Sequence, residues 1–265
     1  MEAAITSLAN PVVKEAAGLL QKKYRDKRRA FLLEGWKNVS EAITAGLCPQ
    51  RVFFDPSALP SSAVAFLKET DMAAGTDLLA VSGGIIRKLS DTKTPQPIVA
   101  VFDKFSFALR DIPLHGESFV IVADGLKDPG NLGAIIRTAD AAGIDAVILA
   151  ENCVDLFAPK TLRAAMGSAF HLPVLAGFAN TDILAWLRAQ AFAIFAAVPR
   201  AAQTVYQADF SGRAAVVLGS ETQGVNDFFA QAAAHTVSIP MKGRAESLNA
   251  AVAAALFIYK ARGGG

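Results

Sequence analysis

The sequence predicts an α/β protein of two domains, and three observations carry that prediction. Short apolar runs alternate with helix-period segments along nearly the whole 265-residue chain. From residue 118 onward those runs are almost continuously hydrophobic, as in parallel strands buried on both faces. Between the two series, residues 104–117 (KFSFALRDIPLHGE) break the rhythm and supply Pro113 and Gly116, which marks a linker. The expectation is a small α/β sandwich over residues 1–103 and a second domain with a mostly parallel sheet over residues 118–265.

The elements follow in order. PVVKEAAGLLQKKYRDKRRA reads as a helix, with Val13, Ala16, Ala17 and Leu20 at helical spacing and Pro11 near its start. FLLEGWKNVSEAITAG gives a short apolar run and a second helix that stops at Gly46. RVFFD is a strand, SSAVAFLKETDMA a helix, LLAVS a strand, GGIIRKLSD a short helix and IVAVFD a strand. After the linker, SFVIVADGL, DAVILAE, AFAIFAAV, AAVVLGS and HTVSIPM are strands.

Composition narrows the function classes. Hydrophobic residues make up 52% of the chain and charged residues 19%, which places it among globular rather than disordered chains. The net charge of +2 is unevenly distributed: residues 1–104 hold 14 basic and 11 acidic side chains, and QKKYRDKRR (21–29) alone holds six bases and one acid. Such clustering suits a polyanionic partner, because bound phosphates release counterions; it also suits a solvated helix face. Cys48 and Cys153 make neither a disulfide framework nor a metal site, and His115, His171 and His235 lack ligand spacing. The N-terminus lacks the layout of a signal peptide, and the longest uncharged run, 164–181, contains Ser, His, Pro, Gly and Asn. No metal, no membrane and a cytoplasmic location are expected.

The candidate site begins at residues 127–143, KDPGNLGAIIRTADAAG. Asp128-Pro129-Gly130 has turn chemistry, and Asn131 stands where an N-cap belongs. Leu132, Ile135, Ile136 and Ala139 form the buried stripe, leaving Arg137 on the exposed side about 140° from Leu132. A helix start of this kind attracts anions, although a cap and a surface ion-pair partner explain the same two residues. The dinucleotide reading fits poorly: G-x-G-x-x-G and Walker A are absent, and Glu151 is a weak candidate for a ribose-binding acid. Two further strands also end in polar turns. AVVLGSETQGV (215–225) carries Glu221, and TVSIPMKGRAESLNAAVAAALFIYKAR (236–262) leads into an alanine-rich helix beginning near Ser247. Ligands in open α/β sheets sit at such strand ends.

DPGNLGAIIRTADAAGIDAVIL, LGSETQGV and IPMKGRAESLNAAVAAALF, in that order, make residues 118–265 resemble the SpoU (TrmH-like) branch of the SPOUT methyltransferases. The first domain, through FLLEGWKNVSEAI, is similar to the L30e-like RNA-binding module that often precedes it. The resemblance implies a C-terminal trefoil knot that holds S-adenosyl-L-methionine, a homodimer with the active site near the subunit interface, and methylation of ribose 2′-oxygens in RNA. By the same resemblance the catalytic set is Asn131, Arg137, Glu221, Ser247 and Asn249. Leu218, Gly219, Ile239, Pro240, Met241 and Leu248 would line the cofactor pocket. Lys22, Lys23, Arg25, Lys27, Arg28 and Arg29 are the candidate RNA phosphate contacts. The L30e-like module suits 23S ribosomal RNA before transfer RNA; a non-catalytic RNA-binding or ribosome-assembly factor with the same fold is the alternative.

Three positions depart from the family's pattern. Ser220 precedes Glu221 where Asn is frequent, Ala250-Ala251 replaces Val-Ser, and Arg163-Ala164-Ala165 replaces Arg-Ala-Ser. The family's arginine is usually cast as general base, which sits uneasily with a guanidinium pKa above ~12. Arg137 is better suited to gripping a phosphate or stabilising a developing alkoxide.

Overall fold

The computed structural model describes residues 4–69, 76–220 and 222–263. The expected helical end at residues 70–73, Glu221 and the last two glycines lie outside the described residues. The chain divides into two compact units. One comprises the residues up to Phe105 together with Phe157–Phe170; the other comprises Ser106–Leu156 and the residues from His171 onward.

In the first unit, α1 (Pro11–Gly18) starts as its sequence requires. Asn10 accepts the Val12 N–H at 2.9 Å, and Pro11 occupies the first turn, where no N–H is needed. The single helix expected over residues 11–30 is in fact two. After Gly18 the N–H groups of Leu19, Leu20 and Gln21 bond three residues back, to Ala16, Ala17 and Gly18. Helix α2 (Lys22–Arg28) then begins afresh. Arg25 seals the break. It is 4% exposed, and its Nη1 donates to the carbonyls of Leu19 and Leu20, each at 2.8 Å. Those are carbonyls that a helix end leaves open.

The remaining elements follow the expected order: β1 (Ala30–Glu34), α3 (Trp36–Thr44), β2 (Pro49–Phe54), α4 (Ser61–Glu69), β3 (Asp77–Ala80), α5 (Gly83–Leu89) and β4 (Ile98–Asp103). They build a four-stranded sheet of order β1-β4-β2-β3, antiparallel except between β2 and β3. Val13, Leu32, Phe53, Ile85 and Val101 are buried together on one face.

The second unit contains β5 (Phe119–Ala123), α6 (Pro129–Ala141), β6 (Ala146–Ala150), β7 (Val174–Phe178), α8 (Asn180–Ala189), β8 (Ala193–Ala197), β9 (Gln203–Thr204), β10 (Ala214–Leu218), α9 (Asp227–Ala232), β11 (His235–Ser238) and α10 (Ala250–Arg262); α7 (Pro159–Ala165) belongs to the first unit. Among the described residues its sheet has seven strands in the order β7-β6-β5-β10-β8-β11-β9, with every neighbouring pair parallel. This is the α/β class that the apolar runs predict. The two edge strands, β7 and β9, are additions to the expected set. Val120, Val122, Ile148, Val217 and Phe229 are fully buried in its core. The segment expected as a linker is anchored on that same core: Ile112 is buried in it, and Phe107, Leu109 and Leu114 pack against it.

The excursion Phe157–Phe170 leaves the second unit's chain after β6 and completes the first unit. Phe157 lies 4.9 Å from the Phe31 ring and 5.1 Å from Phe105. Glu34, 6% exposed, accepts from Ser90 Oγ (2.7 Å), Thr92 Oγ1 (3.1 Å) and the Gln96 N–H (3.0 Å), and faces Arg163 at 3.6 Å. Arg163 also pairs with Asp91. A carboxylate so enclosed is tolerable only because its oxygens are satisfied and a cation stands beside it.

Candidate active site

Parallel pairing sends the C-terminal ends of β5, β10, β8 and β11 out on one side of the sheet. Helix α6 begins there, with its cap earlier than expected. Asp128, not Asn131, is the N-cap: its Oδ1 accepts the Asn131 N–H at 2.9 Å, and Pro129 fills the first helical position. Leu132, Ile135, Ile136 and Ala139 are wholly buried, as their spacing predicts, and Arg137 is exposed. Moving the cap to Asp128 puts Asn131 in the first turn with its side chain available for a tertiary bond.

That bond is made with Asn249. Helix α10 starts at Ala250 rather than near Ser247, and Asn249 is its cap, accepting from Ala251 N (2.9 Å) and Val252 N (3.3 Å). With its oxygen turned to those N–H groups, its amide nitrogen must point away. It donates to Asn131 Oδ1 at 2.8 Å. One side chain therefore starts α10 and ties it to the start of α6.

Beside this pair lies a cleft of about 1040 Å³. Its walls include Leu218, Gly219, Ile239, Pro240, Met241, Ser247 and Leu248. Asn131 and Asn249 stand next to one another but outside the cleft walls, as does Arg137 on the exposed side of α6. The sequence reading misses residues 197–201 at and beyond the end of β8, Ser238, Arg244 and Glu246, which also line the cleft. The signal for the first of these lies in AFAIFAAVPR: a buried strand followed by Pro199 and Arg200 is itself a strand-end turn.

The turn after β10 is tightly closed. Ser220 and Gly224 exchange two backbone hydrogen bonds, at 3.1 and 2.9 Å, and the Gln223 N–H donates to Ser220 Oγ at 3.1 Å. A Cβ on Gly219 would lie 1.8 Å from the Gly224 carbonyl carbon, so this position admits glycine alone. Among the described residues no group of His, Cys, Asp and Glu side chains could hold a metal ion, and no helix is long and apolar enough to cross a membrane.

In the first unit, Lys22, Lys23, Lys27, Arg28 and Arg29 are exposed; Lys22 pairs with Asp26 at 2.6 Å and Arg28 with Glu15 at 2.9 Å. Arg25 does not join them. Its guanidinium is buried against the end of α1, which removes it from the candidate phosphate contacts.

Comparison with known proteins places both units. Residues 118–259 match the model of the SpoU rRNA Methylase family, and residues 10–100 match that of the MRM3-like substrate binding domain. The chain is 34% identical, over 98% of its own length and 99% of the relative's, to the 23S rRNA (guanosine(2553)-2′-O)-methyltransferase RlmP of Bacillus subtilis. It is 35% identical, over 98% and 93%, to an uncharacterized tRNA/rRNA methyltransferase of Synechocystis. Among solved structures it superposes on the AdoMet-bound rRNA methyltransferase from Sinorhizobium meliloti with a TM-score of 0.89, at 33% identity over 98% of this chain and 97% of that one. The family signatures, the parallel sheet and the strand-end cleft agree: the chain belongs to the SpoU rRNA methylase family.

Proposed function

We propose that this protein transfers a methyl group from S-adenosylmethionine to a ribose 2′-hydroxyl of 23S ribosomal RNA. The observation that carries the reading is the 2.8 Å bond between Asn249 and Asn131, which joins the first and third family motifs beside the cleft. The cleft suits the cofactor. Leu218, Ile239, Met241 and Leu248 offer apolar surface to a flat base, while Arg200, Arg244 and Glu246 offer both signs of charge to a zwitterionic amino-acid end. When bound, S-adenosylmethionine supplies a sulfonium methyl that needs no further activation.

The protein's task is then to align a ribose oxygen and ease its proton away, and alignment alone can contribute several kcal/mol. Asn131, fixed by Asn249, and Ser247 on the cleft wall orient the hydroxyl. Arg137 grips a neighbouring phosphate or stabilises the developing oxyanion, and Glu221 orients that arginine. The residues up to 103 select the RNA, with Lys22, Lys23, Lys27, Arg28 and Arg29 against its phosphates, and residues 104–117 connect them to the methyltransferase domain. The name of RlmP, a 23S rRNA 2′-O-methyltransferase, supports the substrate, and the SpoU methyltransferase AviRb, solved in complex with AdoMet, supports the cofactor. The enzyme acts in the cytoplasm as a homodimer with a knotted C-terminal segment. Leu248, Val252 and Tyr259 give the start and outer face of α10 the exposed apolar surface a second subunit would cover.

Transfer of labelled methyl to unmodified 23S, 16S and transfer RNA, followed by nuclease digestion, tests this. A labelled 2′-O-methylnucleoside from 23S RNA alone is the expected result. Label in transfer RNA moves the substrate, and absence of both label and cofactor binding removes the reading.

A further inference from the structure

One buried carboxylate belongs to none of the three family motifs. Asp124 follows β5 directly, is 2% exposed, and has neither oxygen idle. Its Oδ2 accepts the Asn226 N–H at 2.9 Å, and its Oδ1 accepts from Asn152 Nδ2 at 3.4 Å. Asn152 returns the contact one residue on, its Oδ1 accepting the Gly125 N–H at 2.9 Å. Gly125 itself, at φ +74°, has a left-handed backbone that favours glycine, and a Cβ there would make ordinary contacts, 3.4 Å from Asn152 Nδ2 and 3.7 Å from Ser220 Cβ. Asn226 in turn caps α9 through the Phe229 N–H at 3.0 Å. The turn between Ser220 and Gly224, which forms a wall of the cleft, is therefore held at one end by its own strand and near the other by Asp124.

We infer that Asp124 is a positioning residue for cofactor binding: it clamps the Asn226 backbone, and through it the cleft-lining turn closed by Ser220 and Gly224, against the loop leading to Asn131. This deepens the methyltransferase reading and rests on it. Strands β6, β5 and β10 are neighbours in the sheet, and their three end loops meet at this one carboxylate. Both of its partners are N–H donors, so the position requires two acceptors, which aspartate has and asparagine lacks.

That donor–acceptor logic supplies the test. Asp124→Asn leaves one amide facing another and satisfies only one partner. Asn152→Asp alone places two carboxylates against each other. Combined, the two changes restore every bond with reversed polarity. The new amide at position 124 would accept from Asn226 N and donate to the new carboxylate at position 152, which would still accept from Gly125 N. The expected result is a rise of about tenfold in the S-adenosylmethionine Kd for each single variant, the scale of one lost charged hydrogen bond, with wild-type affinity recovered in the double variant. Hydrogen exchange of the amides from 220 to 226 should quicken in both single variants and slow again in the double one, with no cofactor present. Single variants that exchange and bind like wild type overturn the inference, as does a folded double variant that recovers neither property. Were wild type itself not to bind the cofactor, the methyltransferase reading would fall, and the exchange rates alone would decide whether the clamp exists.

Discussion

Replacing Gly219 by alanine is the sharpest probe of the cleft. The new Cβ would stand 1.8 Å from the Gly224 carbonyl carbon and 2.0 Å from both its oxygen and the Val225 nitrogen. None of these is the far end of a flexible side chain, so the turn must retreat by roughly 2 Å to reach ordinary carbon contact. A retreat of that size breaks the paired bonds between Ser220 and Gly224, at 3.1 and 2.9 Å. Two backbone hydrogen bonds contribute about 1–3 kcal/mol net, which corresponds to roughly 5- to 150-fold in affinity for a ligand that needs the turn closed. Calorimetric titration with S-adenosylmethionine measures this directly. Gly224→Ala is the control. It meets nothing within 4 Å but sits at φ +70°, so it carries only the ~1 kcal/mol conformational cost. If Gly219→Ala binds the cofactor within about twofold of wild type, a difference well under 1.4 kcal/mol, the turn is not part of the binding surface and the reasoning fails.

Further outcomes follow from the first unit and from α6. Arg25→Met should lower stability by about 2–4 kcal/mol in denaturant titration, because two carbonyls lose their donor. The salt dependence of RNA binding should stay unchanged in that variant, whereas replacing Lys23, Lys27 and Arg29 together by alanine should weaken binding and flatten the slope. Lys104 and Lys22 hold the Asp26 carboxyl below its ordinary value, chiefly through their hydrogen bonds. A depressed carboxyl stabilises the fold above its unfolded pKa and loses that contribution as pH falls through the folded one. The Tm of Lys104→Ala should thus fall less steeply than wild type below about pH 4, and an equal slope would assign the acid sensitivity elsewhere. For Arg137→Lys, a pH–rate profile that recovers activity with a shifted apparent pKa supports proton removal by this side chain. Loss of activity with RNA binding intact supports the oxyanion or phosphate role.

What the sequence makes legible is set by local rules. The stripe of Leu132, Ile135, Ile136 and Ala139 and the strands of the central sheet follow from periodicity and apolar runs, which depend on neighbours along the chain. The N-cap of α6 is harder to place because Asp128 and Asn131 are both good caps, and only Pro129 at the first helical position separates them. A continuous helix over 11–30 fails for a tertiary reason. Helical spacing permits it, and a buried Arg25 turning back on Leu19 and Leu20 cannot be read from spacing. Strand β9 is two residues long, and β7 has two exposed residues, so neither gives the apolar run of a central strand. Asp124 carries no local signal, because its meaning lies in Asn226, 102 residues away.

The excursion Phe157–Phe170 constrains how such enzymes can be recombined. A substrate-binding module taken from this protein as residues 1–105 would leave behind the aromatic ring that covers Phe31 and the arginine that faces Glu34. Exchange of the module between relatives therefore needs two segments transplanted together, the second cut from the middle of the catalytic sequence. A single crossover near residue 105 would produce a chimaera whose module is lined by a foreign segment.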